Sequence, residues 1–328
     1  MAVTMKEIAE ITGVSKATVS KIINGRDRYI SEETRKKVLG CITQMGYVPN
    51  AMARGLKVKK TRMIGFILPD ISNPFFPEIA KGIEDKAKKE GFGVVICNTD
   101  DRAEAEYQSF QFLFAQQVDG IIFTRALRRA NMDKVFESGI PIVVVDREVN
   151  TKQLGFGQIF IDTRQGIKES TNLLIQAGCE KIAYISAQYH SEYDRYSGYV
   201  EAMQEAGRQV QAELVYKNQY NVDTGYEGIN KILETNKVDG VVCGNDLIAI
   251  GVIRALSERG IKIPDQVKIM GFDDMYFSQY MVPPLSTIKQ PAYEMGAQAA
   301  EMLIDNILYQ KPLAKKKLNF TICMRGTV

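Results

Sequence analysis

The stretch MIGFILPDISNPFFPEIAKGIED, residues 63–85, opens with an apolar run of six residues, breaks at Pro69-Asp70 and continues as an amphipathic segment. That order, strand and then helix, recurs along the chain. Apolar runs at 63–68 (MIGFIL), 94–97 (VVIC), 120–123 (GIIF) and 142–145 (IVVV) alternate with amphipathic stretches. A second series at 181–186 (KIAYIS), 213–216 (ELVY), 240–243 (GVVC) and 268–272 (KIMGF) repeats the scheme. Near-continuous apolar strands separated by helices predict an α/β fold with doubly wound parallel sheets. Val118-Asp119-Gly120 returns as Val238-Asp239-Gly240, which hints at two similar halves.

The chain before residue 61 reads differently, as short helices. Thr4 and Glu7 have the spacing of a capping box, and Met5, Ile8 and Ala9 form an apolar stripe that ends near Gly13. Ser15 is a good N-cap for a second helix, with Val19, Ile22 and Ile23 facing inward before Asn24-Gly25 breaks it. Ser31 caps a third, with Val38, Ile42 and Met45 as its buried row and Gly46 as its stop. Two short helices joined by a tight turn and followed by a packing helix have the proportions of a helix-turn-helix head. Its second helix offers Lys16, Ala17, Ser20, Lys21 and Asn24, short or basic groups suited to base edges and phosphates. A solvated bundle face is the competing reading. Pro49-Asn50 then introduces about two turns of marginal helix, 51–57, weakened by Gly55; a basic helix ordered only by DNA and a plain linker both fit.

Charge separates these parts. Residues 1–60 hold 12 Lys+Arg against 5 Asp+Glu, a balance of +7, whereas the remaining residues hold 30 against 34, or −4. A small polyanion-binding head on a mildly acidic body is the expectation. The whole, 328 residues with 45% hydrophobic and 25% charged side chains and a mean hydropathy of −0.16, is long enough for two to three domains. It carries no apolar run of membrane-spanning length and no secretory h-region, so a cytoplasmic protein with no membrane contact is expected. Five scattered cysteines and one histidine, His190, give neither a disulfide framework nor metal-ligand spacing. No phosphate-binding loop or nucleophile elbow is present, so neither catalytic nor metal residues nor a cofactor are assigned.

In open α/β sheets ligands bind beyond the carboxyl ends of strands. The polar residues there are Ser72 and Asn73, Asp146 and Arg147, Asn245 and Asp246, Asp273 and Asp274, and Gln290, with Arg195 nine residues past KIAYIS and Phe75-Phe76 close behind the first run. Planar Asp, Asn, Arg and Gln groups each grip two adjacent hydroxyls, and a Phe pair covers the C–H faces of a sugar ring, a combination suited to a small polyol or saccharide. Helix capping for each Asp or Asn, and core packing for the Phe pair, are the alternatives.

Four stretches, VTMKEIAEITGVSKATVSKIING, PNAMARGLK, ISNPFFPEIAKGIED and GFDD, resemble the LacI/GalR family of transcription repressors over essentially the whole chain. The resemblance implies a helix-turn-helix head (1–48), a hinge helix and linker (49–60), and an effector-binding and dimerisation body (61–328). The body would resemble a periplasmic sugar-binding protein, with subdomains of about 61–160 with 291–318 and about 161–290 with 319–328. It also implies base reading by Lys16, Ala17 and Lys21 and phosphate contacts from Thr4 and Ser20, with Ser15 beside them. Leu56 would act as a minor-groove wedge, flanked by Met52, Ala53 and Lys57. Lys21 stands where many members carry arginine, and Gly55 replaces the usual serine or alanine. Asn73, Phe75, Phe76, Asp146, Arg147, Arg195, Asn245, Asp273 and Gln290 fall on positions that hold ribose in ribose-binding proteins, with Tyr220 as a wall residue. PPLSTIKQPAYEMG looks like the matching stretch of ribose operon repressors.

The implied partners are a pseudo-palindromic double-stranded DNA operator, a small sugar (D-ribose first), and a second copy of the chain. A homodimer is expected because the lac repressor's C-terminal leucine heptads are missing. Rival readings are a regulator whose DNA affinity is raised by a phosphorylated carrier protein or a purine and, from another class, a solute-binding transport component.

Overall fold

The computed structural model describes residues 3–47, 60–124, 135, 138–148, 155–188 and 193–328. It divides into two units, Met1–Thr61 and Arg62–Val328.

In the first unit, α1 (Met5–Thr12), α2 (Lys16–Ile23) and α3 (Glu32–Gln44) begin where their caps place them. The Thr4 hydroxyl accepts from Glu7 N and the Glu7 carboxylate accepts from Thr4 N at 2.6 Å, which closes the capping box. Ser15 and Ser31 accept from Thr18 N and Thr34 N in the same manner. Gly13 (φ 67°) and Gly46 (φ 61°) take the left-handed conformation that ends a helix at little cost. Ile8, Ala9, Val19, Ile22, Val38 and Cys41 form the core. Ile23, Ile42 and Met45, expected to be buried, are half-buried and pack against the edge of this core, and on α3 Cys41 is buried beside Val38.

The second unit contains two six-stranded sheets. The first has the order β11-β5-β4-β3-β1-β2, from β1 (Met63–Leu68), β2 (Gly93–Asn98), β3 (Gly120–Phe123), β4 (Ile142–Asp146), β5 (Phe156–Ile161) and β11 (Lys315–Leu318), all parallel. The second has the order β12-β10-β9-β8-β6-β7, from β6 (Ile182–Ala187), β7 (Val215–Asn218), β8 (Gly240–Cys243), β9 (Lys268–Asp273), β10 (Ser286–Lys289) and the antiparallel β12 (Thr321–Cys323). The chain passes between sheets three times, after Ile161, after Lys289 and after Leu318. The run at 213–216 is only half strand, since Ala212–Leu214 form a 3-10 turn and pairing starts at Val215.

The repeated Val-Asp-Gly acquires a physical meaning. Asp119 accepts the backbone N–H of Arg62, one residue before β1, and Asp239 accepts those of Glu180 and Lys181, just before β6, all at 2.8 Å. Each aspartate thus fixes the entry of the first strand of its own sheet.

The helices that cover the sheets cross at very close approach. In α4 (Phe75–Lys89) and α10 (Ala292–Tyr309), Gly82 and Gly296 face each other's backbone so closely that a Cβ on either would collide with a carbonyl oxygen. Gly225 in α8 (Val222–Leu233) and Gly251 in α9 (Asp246–Glu258) do the same in the second half. In both sheets the order reverses beside the first strand, between β1 and β3 and between β6 and β8. That places the ligand crevice at the carboxyl ends of the central strands.

Candidate DNA-reading head and ligand site

On the head, the second helix presents Ser15, Lys16, Ala17, Lys21 and Asn24 to solvent, with Ser20 half-buried and Thr4 exposed one helix earlier. Neither Lys16 nor Lys21 meets a carboxylate among the described residues, whereas Lys6 and Arg35 are paired with Glu10 and Asp27. Unneutralised cations on an exposed helix are the electrostatic requirement for phosphate or base contact. Three expected contacts already have work within the head. Asn24 donates its amide to Ser20 O at 2.6 Å, and the Thr4 and Ser15 hydroxyls cap their own helices. Met52, Ala53, Leu56 and Lys57 lie outside the described residues, as does His190.

In the body, Asp146 ends β4 with φ 68°, Asp273 ends β9 with φ 117°, and Asp274 follows it with φ 56°. Backbone in such regions stores about 1–3 kcal/mol per residue and persists where the surroundings enforce it. The reversal turns the Asp146 and Asp273 carboxylates into the crevice instead of along the strand. Arg147 follows, and its guanidinium grips both oxygens of Asp101 (2.8 and 3.5 Å) and lies 3.8 Å from Asp146. From the helix that follows β6, Arg195 donates to Gly244 O at 2.6 Å, and its guanidinium carbon lies over the Phe272 ring at 4.3 Å from the centroid and over Tyr220 at 5.3 Å. Such cation–π contacts contribute about 0.5–2 kcal/mol each and leave the outward N–H groups free to donate. Gln290, at the crossover between subdomains, donates to Asp273 Oδ1 at 2.8 Å and also bonds to Asp146.

Burial pushes the Asp146 and Asp273 carboxyls above the ordinary carboxylate range, against the pull of the facing arginines. Burial opposes the charge on Arg195, but Tyr220, Asp273 and Asp146 outweigh it and hold the guanidinium firmly protonated. Three buried polar atoms at strand ends find no partner among the described residues: Gln290 Oε1, Thr124 Oγ1 after β3, and Ser186 Oγ in β6. Ser186 packs against Gly244, whose carbonyl holds Arg195. Unmet hydrogen-bonding groups in a dry crevice cost about 1–3 kcal/mol each, which a bound hydroxyl returns.

The expected ligand residues therefore come together with qualifications. Asp146, Arg147, Arg195, Tyr220, Asp273 and Gln290 form one interacting set. Asn245 and Asn73 are buried, but the oxygen of each accepts from its own helix, Ile248 N at 3.0 Å and Phe75 N at 3.1 Å, which leaves their NH2 groups to find partners beyond the described residues. Phe75 and Phe76 pack edge to face, 5.2 Å apart, within the apolar core, so they back the crevice more than they face it. Sequence reasoning passed over Asp101, Thr124, Phe272 and Ser186. Asp101 and Thr124 both follow strand runs, and inspection of every strand end would have found them. Among the described residues no cluster of His, Cys, Asp or Glu is placed to hold a metal ion, and no helix is long and apolar enough to cross a membrane. All five cysteines are free, with Cys41, Cys179 and Cys243 buried.

Family comparisons agree with both units. Residues 4–50 match the model of bacterial regulatory proteins of the lacI family, and residues 61–320 match that of periplasmic binding proteins and the sugar-binding domain of the LacI family. The HTH-type transcriptional regulator RegA of Clostridium saccharobutylicum is 40% identical over 97% of this chain and 95% of its own length. The ribose operon repressor of Halalkalibacterium halodurans is 36% identical over 94% and 92%. A LacI family transcriptional regulator from Enterococcus faecium, solved with bound ribose, superposes with a TM-score of 0.72 at 28% identity, covering 81% of this chain and 98% of that one. A capped helix-turn-helix head and a two-sheet body with its crevice at the strand ends, matched over 97% of the chain by a transcriptional regulator, show that this chain belongs to the LacI family of DNA-binding transcriptional regulators.

Proposed function

We propose that the chain is a repressor that binds a pseudo-palindromic operator as a homodimer and is released from it when a small sugar, D-ribose, occupies the crevice between the two sheets. The observation that carries the ligand reading is the buried set of two cations, two carboxylates and three unpartnered polar atoms, which matches a compact polyol with hydroxyls on every carbon. The relative named as a ribose operon repressor and the ribose-bound regulator support that choice of sugar. In this account Asp146 and Asp273 accept hydroxyl protons, Arg147 and Arg195 donate, and Gln290 and the NH2 groups of Asn73 and Asn245 complete the set. The Phe75-Phe76 pair and Tyr220 supply the apolar walls.

On the DNA side, Lys16, Ala17 and Lys21 read bases and Thr4, Ser15, Ser20 and Asn24 meet the backbone, in the cytoplasm where DNA is found. Leu56, with Met52, Ala53 and Lys57 around it, wedges the minor groove at the operator's centre. The exposed loop of Tyr276, Phe277, Tyr280 and Val282 supports self-association, since contiguous aromatic surface of this kind favours a partner. Release requires that the sugar prefer one body conformation, because equal affinity for both shifts nothing. Calorimetric titration with D-ribose, other pentoses, hexoses and purines tests the assignment without a label, as the chain has no tryptophan. Saturable binding of D-ribose supports it; silence toward every sugar with a response to a purine refutes it.

A further inference from the structure

Directly after Asn245 lies a carboxylate that contacts no expected ligand group. Asp246 is fully buried at the start of α9, and its two oxygens accept three hydrogen bonds: Thr287 Oγ at 2.6 Å on one, Ser278 Oγ at 2.5 Å and Met275 N at 2.9 Å on the other. Gly271 in β9 lies so close that a Cβ there would collide with Oδ1, so β9 has been kept bare to admit it. Burial raises the Asp246 carboxyl, the three donors counter part of that rise, and the balance leaves it at about 6.

The three tethers run to the segments that carry the second half of the crevice. Asn245 is the preceding residue. Met275 N–H lies two residues beyond Asp273, at the end of the left-handed pair Asp273-Asp274 that turns the crevice carboxylate inward. Thr287 lies three residues before Gln290 in the strand that pairs with β9. Asp274 is held from the other side by Arg325 at 2.7 Å and Lys289 at 3.7 Å, so the turn is clamped from both faces. The carboxylate accepts all three at once, whereas an amide offers one oxygen and would have to reverse the bond to Thr287, leaving that hydroxyl proton to find another acceptor.

We propose that Asp246 is a positioning residue for ligand binding, one buried carboxylate that holds Asn245, Asp273 and Gln290 in register without touching the ligand. The proposal rests on the ligand reading above. The same tether at Ser278 reaches the exposed loop of Tyr276, Phe277 and Tyr280, so the residue links the crevice to that surface as well.

The test uses the full-length protein in two arms. In the first, amide hydrogen exchange without ligand compares wild type with Asp246→Asn, Ser278→Ala and Thr287→Val. The expected result is faster exchange confined to about residues 271–280, with the strands of the first sheet unchanged; no acceleration in any variant overturns the proposal. In the second arm, D-ribose affinity is measured by calorimetry on the same proteins and on Val252→Ala, a core variant in the same helix that destabilises the subdomain without touching the tether. Asp246→Asn is expected to bind D-ribose about ten- to a hundredfold more weakly, the equivalent of one or two hydrogen bonds to a charged acceptor. Smaller losses are expected for Ser278→Ala and Thr287→Val, and none for Val252→Ala. Equal losses in Val252→Ala would reduce Asp246 to a stabilising role and overturn the proposal. Should Asp246→Asn fail to fold, the two single-tether variants decide in its place. A wild-type protein silent to D-ribose refutes the sugar assignment instead, and the exchange arm then decides on Asp246 by itself.

Discussion

Replacement of Arg195 by methionine keeps the stem that packs on Phe272 and removes the guanidinium. The structure sets two separate costs. For a ligand, the lost outward N–H groups remove one or two charge-assisted hydrogen bonds at about 1.5–3 kcal/mol each, so D-ribose affinity should fall about a hundredfold. For the unliganded fold, the variant loses the 2.6 Å bond to Gly244 O and the contact with the Phe272 ring at 4.3 Å, and it removes the cation that Asp146 and Asp273 share, leaving Arg147 beside Asp146. Removing one member of a buried charged set typically costs about 3–5 kcal/mol. Here burial already raises both carboxyls and loss of the guanidinium raises them further, so proton uptake relieves part of that cost; about 2–3 kcal/mol is expected to remain, about 5–10 °C in melting temperature for a body of this size. The deficit should also shrink on acidification, as the raised carboxyls take up protons in either protein. Calorimetric titration and melting curves at pH 5 and pH 8 check both numbers, with operator affinity as a control expected to be unchanged. A ligand affinity within threefold of wild type, or a stability deficit equal at the two pH values, would refute the reasoning.

Three more outcomes follow from the same geometry. Asp101→Asn removes the anion that orients Arg147 and should weaken D-ribose binding about five- to tenfold, measured by calorimetry, while changing the melting temperature by only a few degrees. Because the carboxyls of Asp146 and Asp273 are raised, their favourable contribution to folding is complete below the ordinary value of 3.8 and is lost as pH rises through the raised values. Ligand binding needs them ionised and so strengthens over the same window. Asp273→Asn, which also tolerates positive φ, should therefore raise the ligand-free melting temperature at pH 8 and abolish D-ribose binding; a lowered melting temperature would contradict the electrostatics. Lys21→Ala should weaken binding to a selected operator by about 1–3 kcal/mol without altering D-ribose affinity, and an unchanged operator affinity would remove Lys21 from the DNA-reading set.

What the sequence makes legible follows the range of the interaction. Caps act within four residues, so Thr4, Ser15 and Ser31 mark the three head helices directly, and the buried parallel strands announce themselves as apolar runs. Asp146, Arg147, Asp273 and Gln290 were reachable because the parallel sheet rule assigns ligands to strand ends. Their mutual contacts were not legible: Gln290 meets Asp273 because β9 and β10 pair with Asp273 opposite Lys289, a register fixed by the fold. Asp101 is selected over its neighbour Asp100 only by two consecutive left-handed residues, at φ 49° and 56°, which turn the second carboxylate toward Arg147. Asp246 looks like an ordinary first-turn acid on a helix; that it is buried and tethered to residues 29 to 41 positions away becomes visible only once β8, β9 and β10 are side by side. The side-chain oxygens of Asn73 and Asn245 show the opposite effect, where a local cap takes half of a group assigned to the ligand.

In the proposed repressor, occupancy of the crevice controls the grip of the head on DNA. The most direct test measures the dissociation constant for a fluorescent operator duplex, selected from random sequence by the protein itself, with and without saturating D-ribose at fixed salt. The account predicts at least tenfold weaker operator binding with the sugar present, and no such change in Arg195→Met. An operator affinity that D-ribose leaves unchanged, or tightens, while calorimetry shows the sugar bound, would contradict it.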